Sequence, residues 1–525
     1  MPTEANAEAL AKGKTECKNK FAAERANAKR ANAGQAIAAE CSNAHQGKLA
    51  TVRNLLVAGV LVLCLFIGAM PQLHAKDVNI VDFGAVGDGV KVNTTSIQNA
   101  IDACAKSGGG TITIPAGTFL SGSLFLRDNT SLFLNKCAVL KGVADLKSYF
   151  LKGEVVNFNA NAGGLQQKSF IWIDSVSNVS ISGEGTIDGN GAAPAFQKGV
   201  NAGDRPFLIY VCKSKQIVIK DVRLINPAFW NLVLFENDGV RIDGLTIYGH
   251  AAWNNDGIDI DSKNVIINNC NIDCMDDGIC FKSHGNKLCE NVTVTNCIIA
   301  SNCNPIKFGT ASVTGFKNIA ISNCVIRPAS VSNHFHWDRW IEGVKDKISG
   351  ISGIAIESVD GGIIEQITIS NISMTGIQTP VFICLGSRKK PTGSIKNVII
   401  SNIVATSVSL LPSIIAAVPG YYVENVSIRD MLVTCPGGGT KKHADRVIPE
   451  KERAYPENRM YGNTLPAYGF YIRHARGITL ENVQFNLKTK DARPAVMLDD
   501  AHDILLRGFK GKIAPKNNST YRVVE

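Results

Sequence analysis

Short runs of alternating apolar and polar residues recur along the chain, and most of them open on Asn, Gln or Gly. Asn178-Val179-Ser180-Ile181, Gln216-Ile217-Val218-Ile219 and Gly239-Val240-Arg241-Ile242 share this frame. So do Asn264-Val265-Ile266-Ile267, Asn291-Val292-Thr293-Val294, Asn318-Ile319-Ala320-Ile321, Gln366-Ile367-Thr368-Ile369, Asn397-Val398-Ile399-Ile400 and Asn425-Val426-Ser427-Ile428. Alternation of β-branched residues over four or five positions is a strand signal, and no stretch sustains a helical period. From Asn264 to Asn291 to Asn318 the step is 27 residues each time. Short strands repeating in the twenties mean stacked coils, each burying its apolar face against its neighbours. The leading Asn suits a turn, where its side chain can bond backbone and stack on the Asn of the next coil. The pattern predicts an all-β, right-handed parallel β-helix of about ten coils. A β-sandwich would instead show turns about every 8–12 residues and no shared Asn register.

Composition changes the picture mainly at the N-terminus. The chain as a whole, with 45% hydrophobic residues and 48 Gly in 525, can bury a large core. Residues 1–54 are rich in Ala, Asn, Lys and Glu and read as a disordered leader. Leu55 to Met70 is an apolar run behind Lys48 and Arg53, with a small residue, Ala75, at a plausible cleavage point. Residues 55–75 therefore read as a signal peptide, with an uncleaved signal anchor as the alternative. Both predict export, secreted or periplasmic, of a single domain over 76–525. The net charge of +10 is partly leader, and no nucleic-acid motif accompanies it. Fifteen Cys show no CxxC pair or metal-type spacing. Cys270, Cys297 and Cys324 recur at the coil period, which predicts buried free thiols rather than disulfides.

Candidate chemistry sits in one phrase written twice, Asn254-Asn255-Asp256-Gly257-Ile258-Asp259-Ile260-Asp261-Ser262 and Met275-Asp276-Asp277-Gly278-Ile279-Cys280-Phe281-Lys282-Ser283. The repeat sets Asp256 of one coil beside Asp276 and Asp277 of the next. Hydrolysis of a glycosidic bond requires one carboxylic acid to protonate the leaving oxygen and one carboxylate to activate water. Carboxylates on neighbouring coils, about 4.8 Å apart, can stand roughly 5–9 Å from one another, which spans both retaining and inverting geometries. Mutual repulsion should raise the pKa of at least one.

Several segments together resemble a known family. Asp82-Phe83-Gly84-Ala85-Val86-Gly87-Asp88-Gly89, a helix-like Ser96 to Lys106, and Gly108-Gly109-Gly110-Thr111 with Ile114-Pro115-Ala116-Gly117-Thr118-Phe119 resemble the N-terminal cap, about 77–150, of pectin-degrading β-helix proteins. Gly185-Thr186-Ile187-Asp188-Gly189, Arg205-Pro206 and Asn226-Pro227-Ala228-Phe229-Trp230 continue the match. Asn254-Asn255-Asp256 and Asp276-Asp277 look like the Asn-Thr-Asp and Asp-Asp motifs of the polygalacturonases, family 28 of the glycoside hydrolases. The resemblance implies inversion, with Asp276 as general acid and Asp256 and Asp277 holding the water. It implies a polysaccharide substrate and no cofactor, and the sequence offers no metal site and no sign of a partner subunit.

The chain departs from that family's pattern at the substrate side. Ile258/Ile260, Ile279/Phe281, Ile306/Phe308 and Ile354/Ile356 align as two inward columns on four coils, so the residues between them face outward. Asn304 stands where the family has histidine, and can orient a carboxylate but not take a proton. Gly353-Ile354-Ala355-Ile356-Glu357 stands where polygalacturonases have Arg-Ile-Lys, cations shaped to clamp a uronate. Glu357 should repel a uronate. Lys307, in the column of Ala355, either supplies a displaced positive charge or pairs with an acid across coils; Asp261, Lys282 and Glu357 share the other outward column, a candidate ladder of such pairs. The candidate substrate contacts are Asn254, Asn304, Lys307, Lys282, Glu357, Trp230 and Trp337. Trp337 lies on an insertion at about 328–350; a second insertion, about 435–468, carries Lys441, Lys442 and Arg446. The expected substrate is rhamnogalacturonan-type pectin or another α-linked glycan rather than plain polygalacturonate. Two rivals stay open: a polysaccharide lyase on the same scaffold, and an inactive carbohydrate-binding β-helix.

Overall fold

The computed structural model describes residues 76–151, 168–197, 202–331 and 350–525. The leader, the signal segment and most of the first insertion, Trp337 included, lie outside them. The described residues belong to one compact unit, His74–Glu525.

Its strands pair in parallel from coil to coil. One column of register partners runs Phe125, Trp172, Tyr210, Val233, Asp259, Cys280, Lys307, Ala355, Phe382, Ile414, Tyr471, Met497, Ala514. That is thirteen rungs, more than the ten expected. The nine Asn-, Gln- or Gly-led frames follow the rungs from Trp172 to Ile414, and the rungs at Phe125, Tyr471, Met497 and Ala514 belong to coils outside those nine. Beside this outward column, Ile258, Ile260, Ile279, Phe281, Ile306, Phe308, Ile354 and Ile356 point inward and are fully buried. The two inward columns read from the sequence are those of the structure, and Phe281 stacks on Phe308 with ring centroids 4.3 Å apart.

The frame's first residue turns the chain. Asn178, Gln216, Asn264, Asn291, Asn318, Gln366, Asn397 and Asn425 all have φ between 53° and 58°, left-handed backbone that Asn tolerates better than most residues. Their amides stack as expected: Asn291 Nδ2 donates to Asn264 Oδ1 at 3.0 Å, and Asn318 Nδ2 to Asn291 Oδ1 at 2.7 Å. Cys270, Cys297 and Cys324 are buried in the core, and all the described cysteines are free. The helix Thr94–Lys106 caps the N-terminal end with Ile97, Ala100, Ile101 and Cys104 buried. Those positions fall on one helical face.

The second insertion matters most for the site. It leaves the stack after Cys435 and returns at Phe470. Between them Ile448, Tyr461, Leu465 and Ala467 lie on Ala355, Phe382, Ile414, Tyr471 and Met497, the C-terminal continuation of the outward column. Burying Ile448, Tyr461 and Leu465 contributes roughly 1.5–3 kcal/mol each. Asn458 pins this strap, donating to Ile351 O at 2.9 Å. Lys441 and Lys442 stay exposed at the start of the insertion, on the short helix Lys441–Ala444. Arg446 bonds Thr464 O at 3.0 Å within the insertion itself.

Candidate active site

Three coils assemble the site. Asp256 precedes the strand Ile258–Asn268, and Asp276-Asp277 precede Ile279–Ser283 on the next coil. Asn304 and Lys307 come from the coil after that. The coils join here by backbone bonds from Gly257 N to Asp277 O and from Gly278 N to Asn304 O, both 2.9 Å. A side chain at Gly257 would run into Gly278 O at 2.4 Å. That close approach is a reason for the repeated Asp-Gly.

All three acids are brought together and nearly buried, Asp256 at 3%, Asp276 at 7% and Asp277 at 3% exposure. Their surroundings differ. Asp277 Oδ1 accepts from Asn304 Nδ2 at 2.9 Å, and its Oδ2 lies 3.0 Å from Lys307 Nζ and 4.0 Å from Lys282 Nζ. Burial alone would raise this carboxyl, but Lys307, Lys282 and Asn304 together hold it below its ordinary value. Asp276 accepts from Asn254 Nδ2 at 3.2 Å and from the backbone N–H of Asp277 at 3.0 Å. Burial, and then the charge of Asp277, raise it. Burial and the neighbouring Asp259 and Asp276 push Asp256 up as well, and its Oδ1 has no hydrogen-bond partner among the described residues. The pair Asp276-Asp277 is thus split into a carboxyl pushed up and a carboxyl held down from their ordinary values. These groups titrate as a set rather than singly.

Asn254 sits in left-handed backbone, φ 56°, and accepts from Arg205 Nη2 at 3.4 Å. Arg205 is itself fully buried and donates to Ala228 O and Trp253 O at 2.9 and 2.7 Å. Burial pulls that guanidinium down to about 9. Lys282 Nζ lies 5.1 Å from the ring of Trp230, which places both candidate contacts at the edge of the acid cluster.

Of the two readings of Lys307 the structure takes the second: it is 2% exposed and paired with Asp277 of the neighbouring coil rather than free as a displaced clamp. Two expectations are corrected. Glu357 does not confront the substrate with a charge: it is 1% exposed, and burial raises it to about 8, neutral at pH 7. Lys282 does not ladder with Asp261 and Glu357 but turns to Asp259 at 3.6 Å and to Asp277. Asp261 instead accepts from the backbone N–H of His284 at 2.8 Å.

Two residues escaped the sequence reading. Asp259, 1% exposed and raised by burial to about 7, is a fourth acid facing Lys282. The alternation that turns Ile258 and Ile260 inward also turns Asp259 outward, so the signal was present. Tyr455, on the strap, sets its ring 5.7 Å from Lys307 Nζ, and no local signal marks it. Asp276, Asp277 and Cys303 come within 4.8 Å of one another, as cation ligands would. The donor set does not fit one: the Lys307 ammonium already neutralises Asp277, and burial keeps the Cys303 thiol protonated.

A family model, glycosyl hydrolases family 28, matches residues 104–447, which span the whole acid cluster. This chain belongs to that family. The family 28 chain is 33% identical over 220 residues to a probable polygalacturonase of Vitis vinifera, covering 40% of this chain and 45% of the relative. It is 32% identical over 209 residues to an endo-polygalacturonase of Pectobacterium carotovorum subsp. carotovorum, covering 36% and 51%. The chain thus spans about half the length of the curated relatives it matches. Its fold resembles that of a hyperthermoactive exopolygalacturonase from Thermotoga maritima, with a TM-score of 0.59 at 18% identity over 79% of this chain and 93% of that one.

Proposed function

We propose that this family 28 chain is an exported glycoside hydrolase that cleaves an α-linked, pectin-type polysaccharide with inversion. The observation that carries the reading is the unequal pair on adjacent residues: Asp277 tied to Lys307 at 3.0 Å and Asn304 at 2.9 Å, and Asp276 without a cation at bonding distance among the described residues. Asp276 donates the proton to the leaving oxygen. Asp277, ionised, takes the proton of the attacking water, and Asp256 helps hold that water. Asn304 serves by orienting Asp277, a task that needs a donor rather than a base.

The preferred sugar beside the scissile bond is one without a carboxylate, as in rhamnogalacturonan-type pectin. Among the described residues of the site both lysines are committed, Lys307 to Asp277 and Lys282 to Asp259 and Asp277. Ala355 and the neutral Glu357 offer no replacement for the family's cation pair. A binding protein without turnover is the second reading, favoured by the near-complete burial of the acids.

The test is a panel of polygalacturonan, rhamnogalacturonan and neutral plant and algal glycans, assayed for new reducing ends and for unsaturated products. Reducing ends on a rhamnogalacturonan, without unsaturation and lost in Asp256→Asn, are the expected result. Unsaturated products would make the chain a lyase. Binding retained in both proteins, with no cleavage, would make it a lectin-like β-helix.

A further inference from the structure

Arg205, of the Arg205-Pro206 motif, has no task in the chemistry above. It is fully buried, and its bonding partners among the described residues are three neutral oxygens: Ala228 O at 2.9 Å, Trp253 O at 2.7 Å and Asn254 Oδ1 at 3.4 Å. The rings of Phe229 and Trp253 flank the guanidinium, 4.7 and 5.2 Å from Cζ. Its Nε has no hydrogen-bond partner among those residues. A buried cation without a paired anion costs stability, so anchoring the turn is a poor reason to keep one. The turn is anchored by its own Asn255, which donates to Pro227 O and Phe229 O at 3.1 and 2.8 Å and accepts from Ala252 N at 2.8 Å. What Arg205 alone adds is a contact with the side-chain oxygen of Asn254.

Asn254 bridges Arg205 to the acid cluster, its Oδ1 toward the guanidinium and its Nδ2 donating to Asp276 Oδ2 at 3.2 Å. An amide turns over at little cost unless a neighbour tells its oxygen from its nitrogen. A protonated Asp276 does not tell them apart, because a carboxylic acid both donates and accepts. Arg205 does, because a guanidinium only donates. We propose that Arg205 is a positioning residue for the general acid: it locks the Asn254 amide with its NH2 toward Asp276, which keeps the acid proton free for the leaving oxygen. Turned over, the amide would present Oδ1 to Asp276 and hold that proton in an O–H···O bond. In the locked state Asp276 instead accepts from Asn254 Nδ2 and from Asp277 N. The inference deepens the hydrolase reading and rests on it.

The experiment measures kcat, KM and the pH–rate profile on the best glycan of the panel for wild type, Arg205→Met, Asn254→Gly and the double variant, with thermal melts to confirm folding. Gly takes the left-handed backbone of position 254, φ 56°, without strain. Asp276 as general acid sets the basic limb of the profile. An N–H donated to its carboxylate favours the ionised form, and an acceptor facing its carboxyl favours the neutral one. Both single variants should therefore move that limb upward, by about one pH unit, the worth of one hydrogen bond. The other ionisable groups around Asp276, namely Asp256, Asp277, Cys303, Lys282 and Lys307, are the same in every variant. Arg205→Met should lower kcat roughly ten- to hundred-fold and change KM less. The double variant should match Asn254→Gly within about two-fold, because Arg205 then has nothing to act through. A further loss or shift on adding Arg205→Met to Asn254→Gly would mean that Arg205 acts by charge or packing, and would overturn the relay. So would a lower kcat in Arg205→Met with the limb unmoved. If Arg205→Met does not fold, Asn254→Gly alone decides: an unmoved limb there overturns the inference. Absence of new reducing ends from wild type would defeat the hydrolase reading itself.

Discussion

Replacing Lys307 with Met isolates the pairing that sets Asp277 apart from Asp276. The two charges lie 3.0 Å apart and both residues are almost wholly buried. Coulomb's law at an effective dielectric of about 20 gives roughly 5.5 kcal/mol of attraction at that distance. Desolvation offsets part of it, and removal of one partner of a buried pair typically costs about 3–5 kcal/mol. Lys282, 4.0 Å away, remains as a weaker partner, so the lower part of that range is expected at pH 7. The sign with pH follows from the direction of the shift. Asp277 sits below its ordinary value in the folded protein, so its contribution is complete above the unfolded pKa. That contribution is lost as pH falls through the folded value. The stability gap between wild type and Lys307→Met should therefore be widest near neutrality and close in acid, where both proteins carry a protonated Asp277. Urea unfolding midpoints at several pH values, compared at equal slope, measure the gap. A gap that stays constant from pH 3 to 8, or no gap at pH 7, would refute the pairing argument.

Glu357→Gln should act in the opposite sense. The folded carboxyl titrates near 8 rather than 4.5, so wild type loses stability as pH rises between those values. The Gln variant should be the more stable at pH 7, by at most about 3 kcal/mol, and no different below pH 4.5, as thermal melts at the two pH values would show. Asp276→Asn should lower kcat about 10²–10⁴-fold with substrate binding intact, read by turnover and calorimetry together. Asn304→Ala removes the 2.9 Å bond to Asp277 and should move the acidic limb of the pH–rate profile upward, whereas an unmoved limb would deny it an orienting role.

How much of this was legible beforehand divides along physical lines. The inward columns at Ile258/Ile260 through Ile354/Ile356 and the Asn turns were readable because a strand's period and a turn's left-handed residue are local properties. The grouping of Asp256 with Asp276 and Asp277 was readable because a repeat in sequence becomes a neighbour in a stack. Asp259 was equally local and was overlooked beside its more conspicuous companions. The fates of Lys307 and Glu357 were not local. Alternation places both outward, and outward in a solenoid ordinarily means toward solvent. Lys307 is paired with Asp277 and faced by Tyr455, and Ala355 is covered by a strap whose Ile448 comes more than 90 residues later in the chain. Nothing in the strap's sequence announces where it lands. The first and last coils escaped for a simpler reason: Phe125 and Ala514 lie in segments without the full Asn-led frame.

The claim that Asp276 gives the proton while Asp277 and Asp256 deliver water is tested most directly by the anomeric configuration of the first sugar released. Proton NMR, following hydrolysis of a cleaved oligosaccharide before mutarotation sets in, reads it. Direct attack by water predicts the inverted anomer, formed by wild type and not by Asp276→Asn. A retained anomer would mean that a carboxylate attacks the sugar itself, and would contradict the roles assigned to all three acids.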